Sequence, residues 1–146
     1  MKIDERDRQI LALLQEDARR SNASLARDLG VSEATVRRRI NSLIDESVVS
    51  VKAVPNSRKL GLSTSALIGI DVEPGKGEMV TNALKSREEV VFLGTTAGRY
   101  DLVARVLVTD LGELRKFLEE FVTKIGGVQK TETLILLDMK KEWLGA

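Results

Sequence analysis

Residues Ser32–Glu46 read SEATVRRRINSLIDE. Ser32 suits a helix N-cap, because its hydroxyl accepts a bond from a free backbone N–H of the first turn. Val36, Ile40, Leu43 and Ile44 recur at helical spacing and make one apolar stripe. At about 100° per residue, Arg38 points almost directly away from that stripe, flanked by Ala34, Asn41, Ser42 and Asp45. Thr35 lies beside this polar face, and Arg37 and Arg39 stand on its two shoulders. Small residues at the N-terminal end let such a helix come close to bases, and arginines reach bases or phosphates in a major groove. An ordinary amphipathic helix with a solvated arginine run has the same pattern, so the neighbouring residues decide.

Those that precede it supply two more helices. Asp4 is placed to cap the first, with Asp7 near the positive end of its dipole. Ile10, Leu11, Leu13 and Leu14 form its apolar side, and it should end near Asp17. Ser21 or Asn22 starts a short second helix whose Leu25, Ala26 and Leu29 face inward, and Gly30 ends it. A helix, a short helix, a glycine turn and a helix with an exposed polar face make a helix-turn-helix. Ala26 and Gly30 are small where two helices must cross closely. In this arrangement the first helix is scaffold and the third reads DNA. A three-helix core with no ligand is the alternative.

The chain of 146 residues suits one ordinary domain or two small ones. It has no cysteine, which excludes disulfides and thiolate chemistry, and no histidine, the commonest metal ligand and neutral-pH general base. No apolar run reaches the ~18 residues of a membrane span, and MKIDERDRQ lacks the apolar core of a signal peptide. The expectation is a cytoplasmic protein with no membrane partner, no metal and no cofactor. The net charge is only +1, yet residues 1–62 hold 12 Lys+Arg against 9 Asp+Glu, and six arginines lie between Arg19 and Arg39. A local basic patch on a near-neutral chain suggests a nucleic acid partner at moderate affinity, which the helix-turn-helix makes double-stranded DNA.

Downstream, Val48–Lys59 is rich in β-branched residues and predicts a short strand followed by a turn at Pro55-Asn56. Ser65–Val72 is an apolar strand ended by Pro74-Gly75. Lys76–Arg87 reads as a helix burying Met79, Val80, Ala83 and Leu84. Val90–Thr96 and Leu102–Thr109 read as strands around the turn Ala97-Gly98-Arg99-Tyr100-Asp101. Asp110 and Glu113 have capping-box spacing for a helix bearing Leu111, Leu114, Phe117, Leu118, Phe121, Val122 and Ile125, stopped at Gly126-Gly127. Val128–Met139 is the last strand. Trp143 beside Leu144 reads as a packing or assembly residue. The order β-α-β-β-α-β is the ferredoxin-like split motif. The expected fold is therefore α+β: a helix-turn-helix domain over 1–47, a linker strand over 48–62 and a ferredoxin-like domain over 63–146. Both helices must cover one sheet face. The other face, rich in Val, Leu and Ile, needs a cover that one chain lacks, which predicts a homodimer.

LLQEDARRSNASLARDLGVSEATVRRRINSL resembles the DNA-binding half of the Lrp/AsnC family of transcription regulators. Asp17, Ala18, Arg19, Leu25, Ala26, Gly30, Ser32, Thr35, Val36, Arg39, Ile40 and Leu43 stand where that motif has them. Gly98, Tyr100, Asp101 and Leu102 match the G-x-Y-D-L turn of the family's amino-acid-response domain, and Gly127, Val128, Thr131 and Thr133 match its G-V-x-x-T-x-T strand. Three positions depart from the family pattern. Ser24 stands where an acid would complete a capping box with Ser21, Ala97 stands for a usual Thr, and Ser47 stands for a usual Gly after the third helix. A left-handed Ser47 would cost about 1 kcal/mol relative to Gly, so the third helix is expected to end differently here.

The resemblance implies a regulator that binds DNA as a dimer, joins dimers into a larger ring such as an octamer, and takes a small effector, mostly an amino acid, between dimers. Ser32, Ala34, Thr35, Arg37, Arg38, Arg39 and Asn41 are the candidate DNA-binding residues. Gly98, Arg99, Tyr100, Asp101, Thr131 and Thr133 are the candidate effector-binding residues. A carboxylate needs N–H or OH donors and an ammonium needs an anion or carbonyl. Gly98 and its neighbours offer donors, Asp101 an anion and the threonines hydroxyls. A plain hairpin turn and ordinary strand residues would account for the same letters.

Three other functions fit less of the sequence. A DNA-binding protein without effector needs only the N-terminal part. A branch of the same architecture decarboxylates sirohaem, but such chemistry needs proton donors, often His, and this chain has none. RNA-binding split domains stack bases on aromatic residues of central strands, and Leu102–Thr109 contains none.

Overall fold

The computed structural model describes residues 2–140; Trp143 and Leu144 lie outside them. The chain forms two compact units that divide between Ala53 and Val54, within the expected linker.

The first unit holds α1 (Glu5–Glu16), α2 (Asn22–Leu29) and α3 (Glu33–Asp45). Each N-cap is the residue its sequence suggests. Asp4 accepts from the Asp7 N–H of α1 at 2.9 Å. Ser21 accepts from the Ser24 N–H of α2 at 3.2 Å, and Ser32 from the Thr35 N–H of α3 at 3.1 Å. Asp7 returns the first bond by accepting from the Asp4 N–H at 3.0 Å, so a reciprocal capping box forms on two aspartates. Gly30 closes α2 in the left-handed region at φ 64°, which carries the chain into α3. Ile10, Leu25, Val36 and Leu43 are fully buried, each stabilising the unit by about 1.5–3 kcal/mol. Ala26 is buried as well, and Leu13, Leu14, Val31 and Ile40 pack around this core.

The end of α3 differs from expectation. Ser47 does adopt the left-handed conformation, at φ 57°. The Val48 N–H donates to the Leu43 carbonyl at 2.8 Å and the Ser47 N–H to the Ile44 carbonyl at 2.9 Å. That is a Schellman stop built on serine. The two bonds satisfy carbonyls that the helix would otherwise leave open, which offsets the cost of Ser47's backbone.

The expected strand over Val48–Lys59 is absent. Only a 3-10 turn at Ser57–Leu60 forms, capped by Asn56. A strand needs a neighbour to pair with. Here the Val48 and Val49 N–H groups both turn back to the Leu43 carbonyl, and Val51 and Val54 stay exposed.

The second unit has β1 (Thr64–Val72), α4 (Gly77–Lys85), β2 (Val90–Thr95), β3 (Leu102–Val108), α5 (Leu111–Lys116) and β4 (Val128–Leu136). The antiparallel sheet has strand order β2-β3-β1-β4, as the split motif requires. Beyond Lys116 the helix widens into a π-turn at Phe117–Phe121 and ends in a 3-10 turn at Val122–Lys124. Strand β4 stops at Leu136, short of Met139. The Asp110–Glu113 capping box forms by half. Asp110 accepts from the Glu113 N–H at 3.0 Å, but the Glu113 carboxylate accepts from Lys116 at 2.7 Å instead of returning the bond.

Alternation along the strands separates two faces. Ala66, Ile68, Ile70 and Val72 of β1 and Leu102, Ala104, Val106 and Val108 of β3 are buried against Val80, Leu84, Leu114, Phe117 and Val122 from the helices. The opposite face carries Leu67, Val103, Leu107, Leu134, Leu136 and Phe92. No element of this unit covers it among the described residues, and Leu134 and Phe92 are 55% and 54% exposed.

Candidate functional site

Helix α3 divides as its sequence suggests. Val36 and Leu43 are buried, while Ser32, Ala34, Arg37, Arg38 and Asn41 are exposed and Thr35 is half-buried. Thr35 and Ser32 bring their hydroxyls to 2.8 Å at the N-terminal end. Arg37 makes a loose i,i+4 pair with Glu33 at 3.3 Å. The guanidinium of Arg38 has no partner among the described residues, and only its carbonyl is engaged, by the Ser42 hydroxyl at 3.0 Å.

Arg39 goes elsewhere. Its Nη1 lies 2.8 Å from Asp7 Oδ1 and 2.8 Å from Asp4 Oδ2. The guanidinium thereby ties α3 to the capping box of α1. The Asp7 hydrogen bond, then that of Asp4, raises the pKa of Arg39 above its usual value. The Asp4 carboxyl is held below the usual carboxylate range, first by the Asp7 N–H and then by Arg39. Sequence spacing places Arg39 on the shoulder of the helix but contains no sign that Asp4 and Asp7 stand opposite it. Arg20 is likewise engaged, by Ser24 at 2.8 Å and by Asp28.

In the second unit the turn before β3 is tightly bonded. The Asp101 N–H donates to the Ile70 carbonyl at 3.1 Å, and Asp101 Oδ2 accepts from the Val72 N–H at 2.7 Å. One carboxylate oxygen therefore anchors the turn to β1. Thr96 donates its N–H to the Asp101 carbonyl at 3.0 Å and its hydroxyl to the Tyr100 carbonyl. A Cβ on Gly98 would stand in open space, and its φ is not left-handed. Nothing among the described residues demands glycine there.

Tyr100 lies over Gly69 of β1 so closely that a Cβ at Gly69 would come within 2.5 Å of the ring. The Tyr100 hydroxyl donates to Glu132 Oε2, and Arg99 Nη2 reaches the same oxygen at 2.8 Å. The Arg99 guanidinium also stands 5.3 Å from the Tyr100 ring centroid. The Glu132 hydrogen bond raises the Tyr100 pKa above its usual value. Strand register places Glu132 opposite Gly69, on the open sheet face. Thr131 and Thr133 pair with Ile70 and Ile68 and so belong to the face covered by helices. The structure thus joins Arg99 and Tyr100 to Glu132 and sets the two threonines on the other side. Neither Glu132 nor Gly69 is singled out by the sequence motifs. The available signal is only that alternation puts the residue between two threonines on the opposite face.

A cleft of about 420 Å³ lies near the far end of β3, against Arg87, Lys116, Phe117 and Phe121. Its two cations are already paired, Arg87 with Glu89 and Lys116 with Glu113, both at 2.7 Å. No group of acidic residues able to hold a metal occurs among the described residues, and no helix there is long and apolar enough to cross a membrane.

Comparison with known proteins agrees with this two-part design. Residues 3–44 match the AsnC-type helix-turn-helix domain and residues 65–143 the Lrp/AsnC ligand binding domain. An uncharacterised HTH-type transcriptional regulator of Pyrococcus abyssi is 44% identical over 97% of this chain and 90% of its own length. The structure of AsnC from E. coli superposes with a TM-score of 0.92 at 28% identity, covering 98% of this chain and 97% of that one. A Neisseria meningitidis transcriptional regulator solved with L-Met shares the fold, with a TM-score of 0.92 at 23% identity over 99% and 96% of the two chains. With the polar face of α3 exposed in one unit and a ligand-binding domain in the other, the chain belongs to the Lrp/AsnC family of DNA-binding transcriptional regulators.

Proposed function

We propose that this protein regulates transcription in the cytoplasm by reading a two-fold DNA site with α3 and answering to an amino acid at the Gly98–Asp101 turn. The observation that carries the DNA reading is Arg38, unpartnered and central on the exposed face of α3, opposite buried Val36 and Leu43. Arg38 contacts a base, most naturally guanine, through its two-pronged guanidinium. Ala34, Thr35 and Asn41 lie near base edges. Ser32, the positive end of α3 and Arg37 hold phosphates. Arg39 contributes by fixing α3 against α1.

Two copies meet through the open sheet face, whose Leu67, Val103, Leu107, Leu134 and Leu136 then leave water. Two α3 helices then serve half-sites of a two-fold DNA site about one turn apart, and dimers gather into an octamer. The effector reading is supported by the match to a ligand-binding domain and by a glycine at 98 that no contact among the described residues requires. Asp101 keeps Oδ1 for the effector's amino group while Oδ2 anchors the turn. Thr131 and Thr133, on the covered face, serve packing.

Selection of binding sites from random duplex DNA, with and without a pool of the twenty amino acids, tests this. Enrichment of a two-fold motif, changed in strength by one amino acid, is the expected result. A purified protein that stays monomeric and enriches nothing at low salt overturns it.

A further inference from the structure

Two donors of the effector turn already hold a carboxylate. The Tyr100 hydroxyl and the Arg99 guanidinium converge on one oxygen of Glu132, which reaches them from the neighbouring strand. The assembly is small and built. Gly69 leaves room for the Tyr100 ring, the ring gives Arg99 a surface to stack on, and strand register delivers Glu132 opposite Gly69. A phenol and a guanidinium on one oxygen are the donors that a free carboxylate needs.

We infer that Glu132 is a built-in competitor for the carboxylate of the amino-acid effector, occupying Arg99 and Tyr100 until the effector displaces it. This rests on the effector reading above and adds to it the atoms that receive the carboxylate and the residue that sets affinity. The exchange is cheap on the arginine side. In a single copy Arg99 is 68% exposed and Glu132 37%, and ion pairs so exposed contribute only about 0–1 kcal/mol. Releasing Glu132 moves one flexible side chain at the edge strand β4 and breaks no backbone bond. Apparent affinity falls by the fraction of time in which Glu132 holds the donors, so removing its charge raises affinity.

The test titrates each of the twenty L-amino acids, one at a time, into the full-length wild type and into Glu132→Gln, by calorimetry. The amide of each binding amino acid, which lacks the carboxylate, serves as control. Glu132→Gln should bind the effector about three- to tenfold tighter, with no gain for its amide. Tyr100→Phe and Arg99→Gln should bind it more weakly than wild type. Tyr100 is the only tyrosine, so its ionisation is read directly by absorbance. It should titrate at lower pH in Glu132→Gln, which confirms the contact in solution and separates its loss from misfolding. If an amino acid binds wild type but Glu132→Gln is unchanged or weaker, the competitor role is overturned while the effector reading stands. If no amino acid binds either protein, both fall together.

Discussion

Asp7 on α1 and Arg39 on α3 form an ion pair at 2.8 Å in which the carboxylate side chain is only 5% exposed. It is the one buried charged residue among those described. Asp7 spends its other oxygen on the Asp4 N–H, so one side chain both caps α1 and fastens α3. Asp7→Ala removes both bonds and leaves Arg39 with Asp4 alone. The expected cost is about 2–3 kcal/mol, read from urea unfolding of the first unit. DNA affinity should fall by a similar factor for every sequence, because the placement of α3 changes rather than its base contacts.

The same cluster sets a response to acid. The folded-state pKa of Asp4 lies below its unfolded value of 3.8, because the Asp7 N–H and Arg39 favour the ionised form. Its contribution is therefore present above that unfolded value and is lost as pH falls through the lower, folded one. Thermal melts from about pH 5 to about pH 2 should show part of the acid destabilisation disappearing in Asp4→Asn. An unchanged pH slope in that variant would contradict the assignment.

Gly69→Ala probes the packing of the other unit. Its methyl would meet three atoms of the Tyr100 ring at 2.5–2.6 Å, including Cγ, so the ring cannot yield at its tip alone. Tyr100 must swing away, which breaks its bond to Glu132. A loss of about 1–3 kcal/mol is expected, together with a tyrosine titration closer to that of the free side chain. The pair Gly69→Ala with Tyr100→Ala should recover part of the loss, because the clash is then gone.

Most of the architecture was legible from capping residues and periodicity. Asp4, Ser21, Ser32 and Asp110 all cap where the letters suggest, and all four strands fall on the stretches read as strands. What the letters alone leave out shares a cause, since each feature depends on a partner distant in sequence or absent. Val48–Lys59 has strand composition, but its first N–H groups are taken by the Leu43 carbonyl. Arg39 looks like its two arginine neighbours until α1 brings two aspartates to it. Thr131 and Thr133 come from a second motif, and only the strand register shows that they lie on the face opposite Glu132. Glu132 was invisible because a carboxylate between two threonines reads as a solvated strand residue.

Ser47→Gly tests the stop of α3. Ser47 sits at φ 57° in a motif that favours glycine. The substitution relieves the steric cost of a Cβ there, partly offset by the greater freedom of glycine in the unfolded chain. A net gain of about 0.5–1 kcal/mol is expected, with no change in DNA sequence preference. A destabilised variant would mean that the serine side chain makes a contact of its own.

Arg38 and Arg37 are adjacent on one helix, but their surroundings differ, and the proposed function gives them different work. Arg37 already shares its charge with Glu33, and on the proposed reading it acts on DNA as a diffuse positive charge near phosphate. Arg38 has no such tether and stands at the centre of the exposed face. Arg38→Ala should cost about 1–3 kcal/mol on the selected site and relax the choice of base at one position of each half-site. Arg37→Ala should weaken binding to every duplex alike and reduce the steepness of its salt dependence by about one phosphate contact per half-site. Competition binding on the selected site and its single-base variants, repeated at several salt concentrations, separates the two. Equal and uniform losses from both changes would mean that neither arginine reads a base.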